Sequence, residues 1–435
     1  MPPSGICPNS GSFFQPGRIA REISRLMGDT RFSENAVRQS DAIRLCPHFG
    51  VCGGCLIQHM PYEQQLAEKA KQLATLFSDV YRGQIDIVPS PAIYHYRNKI
   101  DPAFSPEWFD APPPPGTVRK AVLGFKARGN WFRTVCIEDC LIGPEGLLEL
   151  FRSVREWVND HQLAPYDSRR NTGFLRNLLI RKACRTEDRM VMLITTPGAI
   201  DRESFVDTVR TAWPNASVLW GTFSGRGEVA AADHVEILAG IGEIDEHLVI
   251  PDHLERTWWP TPKDALDNMA QIPSQEDHRK KLAFRISPMA FFQTNTLATE
   301  RLYARIRAWV DSIRPPVLYD LYGGMGTIAL CVSDLVPQIH SVEEVAAAVE
   351  DGKRNAARHG VSHICFHQSR VRPWLKEQIQ SGGIPPDSAV IVDPPRAGLS
   401  PKVVERLITL APRNMLYVSC NPSVLARELP AFLES

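Results

Sequence analysis

From about residue 282 onward the sequence predicts an α/β fold built on a doubly wound parallel sheet. Short apolar runs alternate with amphipathic ones in the order VLYDLY, GTIALCVSDL, IHSVEEV, AAVEDGKRNAARHG, ICFHQ, SAVIVDPP and NMLYVSC, which is the rhythm of strand–helix–strand units. The first of these strands runs directly into a glycine-rich turn at Gly323, Gly324 and Gly326 before the next helix. In open sheets of this kind ligands bind outside the carboxyl ends of the strands, so the residues just after each apolar run are where chemistry is expected.

The elements before residue 282 read differently. Residues 1 to 45 show neither helical nor alternating periodicity and form an irregular lead-in. A cysteine-rich segment follows, and then PYEQQLAEKAKQLATLF sets Tyr62, Leu66, Ala70, Leu73 and Phe77 on one stripe behind Pro61, predicting a helix packed on a core. Between 85 and 135, AVLGFKARGNWFRTVCI offers two apolar runs around Gly129-Asn130, a turn-prone pair that predicts a hairpin, and the prolines at 112 to 115 mark a loop. LLIRKA and RMVMLITT are two further β-prone runs flanking a polar turn. A polar stretch from about 251 to 281 then separates this α+β central region, 46 to 281, from the C-terminal domain, 282 to 435, with the boundary expected near 282 to 300.

Composition narrows the classes. A chain of 435 residues with 43% hydrophobic and 23% charged content is ordinary for a globular protein. No run approaches the roughly 20 apolar residues that span a bilayer. The start lacks a charged segment followed by an apolar one, so no membrane association and a cytoplasmic location are expected. Ten cysteines are too few for a disulfide scaffold at this length, and in a reducing compartment a tight cluster of them more often ligates metal. Forty-nine basic residues balance forty-nine acidic ones, so any nucleic-acid surface must be a local patch. The run SRRNTGFLRNLLIRKACR, with Arg169, Arg170, Arg176, Arg181, Lys182 and Arg185, is the candidate patch, set against a solvated basic face.

Four constellations carry chemistry. In CPHFGVCGGC, Cys46, Cys52 and Cys55 lie close enough to share a metal, and two glycines before Cys55 let the backbone curl around it. The fourth ligand would be Cys136 or Cys140 in TVCIEDCL; thiolates serve zinc as well as iron, so spacing leaves the metal open. In LYDLYGGMGT the glycines allow close approach of a ligand, and Glu343 stands about 20 residues on, where an acid holds ribose hydroxyls. The lack of a Lys-Ser/Thr pair argues against a P-loop and leaves a dinucleotide or S-adenosylmethionine. In VIVDPPRAGL a strand delivers Asp393 followed by two stiffening prolines, a preorganised lip for a planar substrate. In SCNP, Cys420 ends an apolar strand just before a helix start, a setting that favours a thiolate.

Together, CPHFGVCGGCLIQH, FRISPMAFFQTN, LYDLYGGMGTIAL, SVEEVAAAVEDGKRNA, VIVDPPRAGLSPKV and LYVSCNPSVLARE, in that order, resemble the RNA (uracil-5-)-methyltransferase family from residue 46 almost to the C-terminus. The resemblance implies a class I, Rossmann-like methyltransferase domain over 282 to 435, after an iron–sulfur segment and an RNA-contacting central domain. It implies a four-iron four-sulfur cluster on Cys46, Cys52, Cys55 and Cys140, and S-adenosylmethionine bound by Gln293, Tyr322, Glu343 and Asp393, with a lesser contribution from Thr327. Cys420 matches the nucleophile that adds to uracil C6, and the flipped ring would lie against Pro394-Pro395. Cluster-bearing members act on 23S ribosomal RNA, which makes that RNA the expected partner. The chain departs from the pattern in four places: no β-barrel precedes the cysteines, Gly323 replaces a cysteine, the acidic residue usual after the third strand is missing from HQSRV, and the last two strands with their proton-accepting glutamate have no counterpart, Glu434 lying too close to Cys420 to serve. That shortfall motivates one rival expectation, a silent RNA- or cluster-binding protein, and predicts an exposed sheet edge, while the Asp-Pro-Pro lip would also serve a second rival, a methyltransferase acting on an exocyclic amine.

Overall fold

The computed structural model describes residues 43–114, 117, 119–251 and 279–434. Most of the lead-in and most of the polar stretch expected over 251 to 281 lie outside the described residues. Among the described residues no helix is long and apolar enough to cross a membrane.

The central region is an eight-stranded sheet in the order β4-β3-β2-β5-β6-β7-β8, with β1 paired to β5. Its strands are β1 (Lys99–Ile100), β2 (Ala103–Pro106), β3 (Ala121–Ala127), β4 (Asn130–Cys136), β5 (Leu175–Lys182), β6 (Arg189–Thr195), β7 (Ser217–Thr222) and β8 (His234–Ala239). The expected hairpin is β3–β4, turning through Gly129 at φ +71°, a conformation that only glycine adopts without strain. Helix α1 (Tyr62–Leu76) forms from the expected stripe, yet none of its residues is fully buried, which corrects the expectation of a core helix. The helix lies against the C-terminal helix described below.

Two helices close one face of this sheet, α2 (Leu147–Asp160) and α3 (Arg202–Ala212). Alternation in the strands divides the work: Leu178, Ile180, Val191 and Leu193 pack with α2 and α3, while Leu179, Met190, Met192 and Ile194 face the opposite way. Both faces of β5 and β6 are therefore covered, which is why these strands read as unbroken apolar runs.

The second face packs on the hairpin β9 (Ile244–Pro251) and β10 (Arg279–Ile286), paired antiparallel along their full length, and through it on the C-terminal domain. The boundary expected near 282 to 300 falls in β10 and the loop after it. One apolar core, from Met192 through Leu248 and Phe284 to Ile306 and Leu318, runs across that seam. Asp245 accepts from both Arg285 and Arg358 on the surface above it.

The C-terminal domain is a five-stranded, all-parallel sheet in the order β13-β12-β11-β14-β15. Its elements follow in chain order: α4 (Thr296–Ile313), β11 (Val317–Leu321), α5 (Thr327–Cys331), β12 (Gln338–Glu343), α6 (Ala346–Arg358), β13 (Ile364–Gln368), α7 (Val371–Gln380), β14 (Ala389–Val392), α8 (Pro401–Leu410), β15 (Asn414–Tyr417) and α9 (Pro422–Leu433). Ala389 and Ile391 face the shared core while Val390 and Val392 face α7 and α8, so helices cover both sides. Among the described residues β15 pairs with β14 alone.

Candidate methyltransferase site

The carboxyl ends of β11, β14 and β15 lie side by side, because β14 pairs with both of the others. After β11 the chain enters the glycine turn, where Tyr322 adopts φ +66°, Gly324 +55° and Gly326 +71°. A left-handed non-glycine residue costs roughly 1–2 kcal/mol, so Tyr322 is held there by its surroundings. Burial pushes its phenol up to about 12. Glu343 ends β12, and its carboxylate accepts from the Gly324 N–H at 3.0 Å and the Val345 N–H at 2.8 Å, which fixes it beside the turn with acceptor capacity to spare. Thr327, the first residue of α5, has its hydroxyl 2.7 Å from the buried Tyr303 hydroxyl.

Asp393 follows β14 immediately, and desolvation lifts its carboxyl to about 6. The Gln293 side-chain N–H points at it from 3.5 Å. Gln293 itself sits in a clamped loop. The Asn98 side chain donates to the Gln293 carbonyl at 2.9 Å and to Thr296 Oγ1 at 3.0 Å, and the Asn98 N–H donates to the Thr294 carbonyl at 2.8 Å. The expected proline lip is half available, since Pro394 is buried and Pro395 is exposed.

Cys420 is exposed in the loop after β15, one residue before Asn421, the N-cap of α9. Ser419 braces this loop by accepting from the Asn421 N–H and donating to its carbonyl, both at 3.1 Å, and the Asn421 amide donates to the Arg396 carbonyl at 3.2 Å. Glu428, buried on α9, accepts from the Leu399 N–H at 3.1 Å and the Tyr417 hydroxyl at 2.8 Å. The loop after Asp393 is thus tied to the loop of Cys420 at Arg396 and to α9 at Leu399. The structure therefore brings Gln293, Tyr322, Glu343, Asp393 and Cys420 to one edge of one sheet.

Sequence reading missed Asp320. It is fully buried in β11 with the Ala329 N–H the one backbone donor that favours its charged form, and burial, followed by the Asp393 charge, lifts it to about 7. An unpaired carboxyl costs several kcal/mol in an apolar interior unless it stays protonated or meets a cation. An acid inside an otherwise apolar strand was the available signal. Also missed was Phe291, 64% exposed two residues before Gln293, an aromatic face of the kind on which a base stacks.

The three cysteines grouped by spacing and the fourth implied by the resemblance lie around one cavity. Cys46, Cys52, Cys55 and Cys140 line one cavity of about 220 Å³. Burial, and then the neighbouring sulfurs Cys140, Cys46 and Cys52, push the Cys55 thiol up to about 11. Burial likewise raises Cys52 and Cys140. Cys136, the other fourth-ligand candidate, closes β4 and does not line this cavity. Among the described residues no three His, Cys, Asp or Glu side chains converge on a point as the ligands of a single ion do. The cysteine loop is stitched to the β3–β4 hairpin by Gly53 N–H to the Lys126 carbonyl and Arg128 N–H to the Val51 carbonyl, at 2.9 and 2.8 Å.

The basic run does not form the single patch expected of it. Arg176 is buried, stacks 4.0 Å from the Tyr166 ring centroid and donates to the carbonyls of Phe223, Gly225 and Gly227. Arg181, 1% exposed, donates to the Pro288 and Ala290 carbonyls. Arg185 makes a two-pronged pair with Glu300 at 2.7 Å. These three side chains build structure; Arg169 and Arg170 remain exposed.

Comparison with known proteins agrees with this geometry. Residues 385–434, spanning β14 to α9, match the model of the tRNA (Uracil-5-)-methyltransferase family. An uncharacterized RNA methyltransferase of Protochlamydia amoebophila is 30% identical over 425 residues, covering 95% of this chain and 88% of that one. One from Chlorobaculum tepidum is 30% identical over 403 residues, covering 88% and 76%. The crystal structure of Pyrococcus abyssi tRNA (uracil-54, C5)-methyltransferase in complex with S-adenosyl-L-homocysteine superposes with a TM-score of 0.63 at 25% identity, over 88% of this chain and 80% of that one. The chain belongs to the RNA (uracil-5-)-methyltransferase family, with that family's Rossmann-like α/β methyltransferase fold.

Proposed function

We propose that the chain methylates C5 of a uridine in 23S ribosomal RNA, with Cys420 as the covalent nucleophile. The observation that carries this reading is the pairing of β14 with β15, because Asp393 follows the first strand directly and Cys420 lies in the loop that follows the second. S-adenosylmethionine, when bound, supplies an electrophilic methyl group on a sulfonium. The residues fit it: Glu343 offers carboxylate oxygens beside a glycine turn, and Asp393 and Asp320 are carboxyls that lack a cation. Gln293, Tyr322, Glu343 and Asp393 would hold the donor, with Thr327 beside them.

Uracil C5 is too weak a nucleophile to accept a methyl group unaided. The Cys420 sulfur adds to C6, the C5–C6 π pair moves toward the O4 carbonyl, and C5 becomes an enolate carbon. After C5 is alkylated, a water molecule accepts the C5 proton, the C–H electron pair re-forms the C5–C6 double bond, and Cys420 leaves as a thiolate. The target base must leave its stack to reach the sulfur, and exposed Phe291 and Pro395 offer it apolar faces.

The cysteine set fits a four-iron four-sulfur cluster. Each cysteine thiolate on such a cluster takes its own iron, so four thiolates spread around a cavity, with no three converging on a point among the described residues, suit it better than they suit one zinc ion. Anaerobically purified protein should be brown and hold iron and sulfide in equal amounts; stoichiometric zinc without sulfide would overturn this assignment.

Tritium release from RNA labelled at uracil C5 tests the activity. Release from 23S rRNA that requires the methyl donor supports the reading. Release from tRNA alone supports a second reading, favoured by the Pyrococcus abyssi likeness. None from either RNA, with the donor bound, contradicts both.

A further inference from the structure

We propose that Glu428 is a positioning residue for the methyl transfer, a single carboxylate that fixes where Cys420 stands relative to the Asp393 side of the pocket. The inference rests on Cys420 acting as the nucleophile, as proposed above.

The ladder between β14 and β15 ends where the Val418 N–H donates to the Val392 carbonyl at 2.8 Å. Beyond that bond the two segments part, one running through Asp393 into the loop 394 to 400 and the other through Ser419 and Cys420 into α9. A misplacement of about 1 Å between reacting groups can cost a hundredfold in rate, so the two loops need a register that the ladder no longer supplies. Helix α9 supplies it along one stripe. Asn421, Val424 and Glu428 stand at i, i+3 and i+7 and therefore share a helix face. Asn421 donates to the Arg396 carbonyl at 3.2 Å. Gly398, at φ +81°, passes so close to Val424 and Glu428 that a Cβ there would overlap both.

Glu428 completes the stripe. It is 9% exposed, and its two oxygens accept from the Leu399 N–H at 3.1 and 3.3 Å. Oε2 also accepts from the hydroxyl of Tyr417, the last residue of β15, at 2.8 Å. One carboxylate thus holds the loop that follows Asp393 and the strand that leads to Cys420, from a point two turns along the helix that Cys420 precedes. Burial, and then the bond to Glu428, push the Tyr417 phenol up, so its hydroxyl stays the donor. Burial and then the Glu428 charge also raise the Tyr322 phenol, which puts the carboxylate within electrostatic reach of the glycine turn. Bonds to an ionised acceptor are roughly twice as strong as neutral ones, which stiffens the clamp. An apolar side chain would fill the same space at lower desolvation cost and would fix neither loop.

The test compares the full protein, purified anaerobically, with Glu428→Gln, Tyr417→Phe, the double variant and Cys420→Ala. Glu428→Gln keeps the side-chain volume and weakens the clamp, while Tyr417→Phe removes one arm of it. Each should lower kcat for tritium release roughly tenfold, with KM for RNA and the affinity for S-adenosyl-L-homocysteine kept within about twofold. The double variant should be little slower than either single one, since both cut the same link. Carboxymethylation of Cys420 by iodoacetamide, read by mass spectrometry, should keep its rate, because that reaction needs an exposed sulfur and no placement against a pocket. Parental kcat in both single variants overturns the positioning role. A fall in kcat matched by lost analogue affinity or lost folded protein also overturns it, as do fully multiplicative losses in the double variant, which would mean that the two residues act apart. Tritium release undiminished in Cys420→Ala overturns the nucleophile reading and this inference with it. Release lost in Cys420→Ala yet parental in the other variants overturns this inference alone.

Discussion

Asp393 and Asp320 carry more of the site's electrostatics than any other residues. Their carboxyls stand at about 6 and about 7, both raised chiefly by burial. The folded, donor-free protein therefore keeps protons that the unfolded chain has shed above pH ~4, so its stability falls as pH rises from about 4 through 7. A sulfonium or ammonium group bound beside them favours the charged forms and must expel those protons. Calorimetry near pH ~6 in buffers of differing ionisation enthalpy should show proton release on binding the donor, little above pH ~8, and less in Asp393→Asn. Uptake of protons, or none exchanged near pH ~6, contradicts this electrostatic account.

Gly323 yields to the same treatment. A Cβ there would stand 2.2 Å from Ser341 Oγ and 3.0 Å from Asp320 Oδ2. The resemblance had marked this glycine as a departure from a family cysteine; the Ser341 hydroxyl on the neighbouring strand fills the space a side chain would need. Gly323→Ala should cost about 1–3 kcal/mol by overpacking, and Ser341→Ala should restore most of it, since that hydroxyl is buried without a partner. Equal destabilisation in the Ser341→Ala background would show that the hydroxyl is not the obstacle. Motif residues such as Glu343 and Cys420 were legible because each sits at the end of an apolar run. Arg176 and Arg181 misled because charge was counted without asking where a strand puts it. Both lie within β5, whose two faces are covered, so neither had solvent to point into.

At the scale of elements, the loop from Ser287 to Asn295 depends on a strand from the other domain. The Arg181 guanidinium, on β5, satisfies the Pro288 and Ala290 carbonyls, and burial lowers its own pKa to about 10. Arg181→Met should leave two buried acceptors unpaired and cost about 2–5 kcal/mol in denaturant unfolding. It should also raise KM for the methyl donor through the loosened Gln293. A variant as stable as the parent with KM unchanged contradicts the clamp. The strands of the C-terminal sheet were readable from their apolar runs, and so was the turn at Gly129. Five helices went unread, α2, α3, α4, α7 and α8. In α2 the signal was present, with Leu147, Leu150, Phe151, Val154, Trp157 and Val158 at helical spacing, all buried. Helix α1 shows the converse: a regular stripe does not reveal whether what it meets is a core or a shallow surface. Strand order was beyond local pattern, because β2 meets β5 across some seventy residues of intervening chain.

Across the whole molecule, the two regions that sequence separated by a polar stretch are joined by a packed seam on either side of it. The hairpin β9–β10 carries one continuous core from the central sheet to the methyltransferase sheet, so the cysteine cavity and the strand-end pocket belong to one framework. Within that framework the proposed chemistry turns on the loop between β15 and α9, where Cys420 stands exposed and Asn421 is bonded to Arg396 of the loop after Asp393. Trapping with RNA that carries 5-fluorouridine tests this most directly, because fluorine at C5 cannot leave as a proton does and arrests the adduct. Incubated with the methyl donor, the protein should form a complex that survives denaturing electrophoresis and maps by mass spectrometry to Cys420, absent from Cys420→Ala. An adduct mapped to another residue, or full methylation of uridine RNA by Cys420→Ala, contradicts the account.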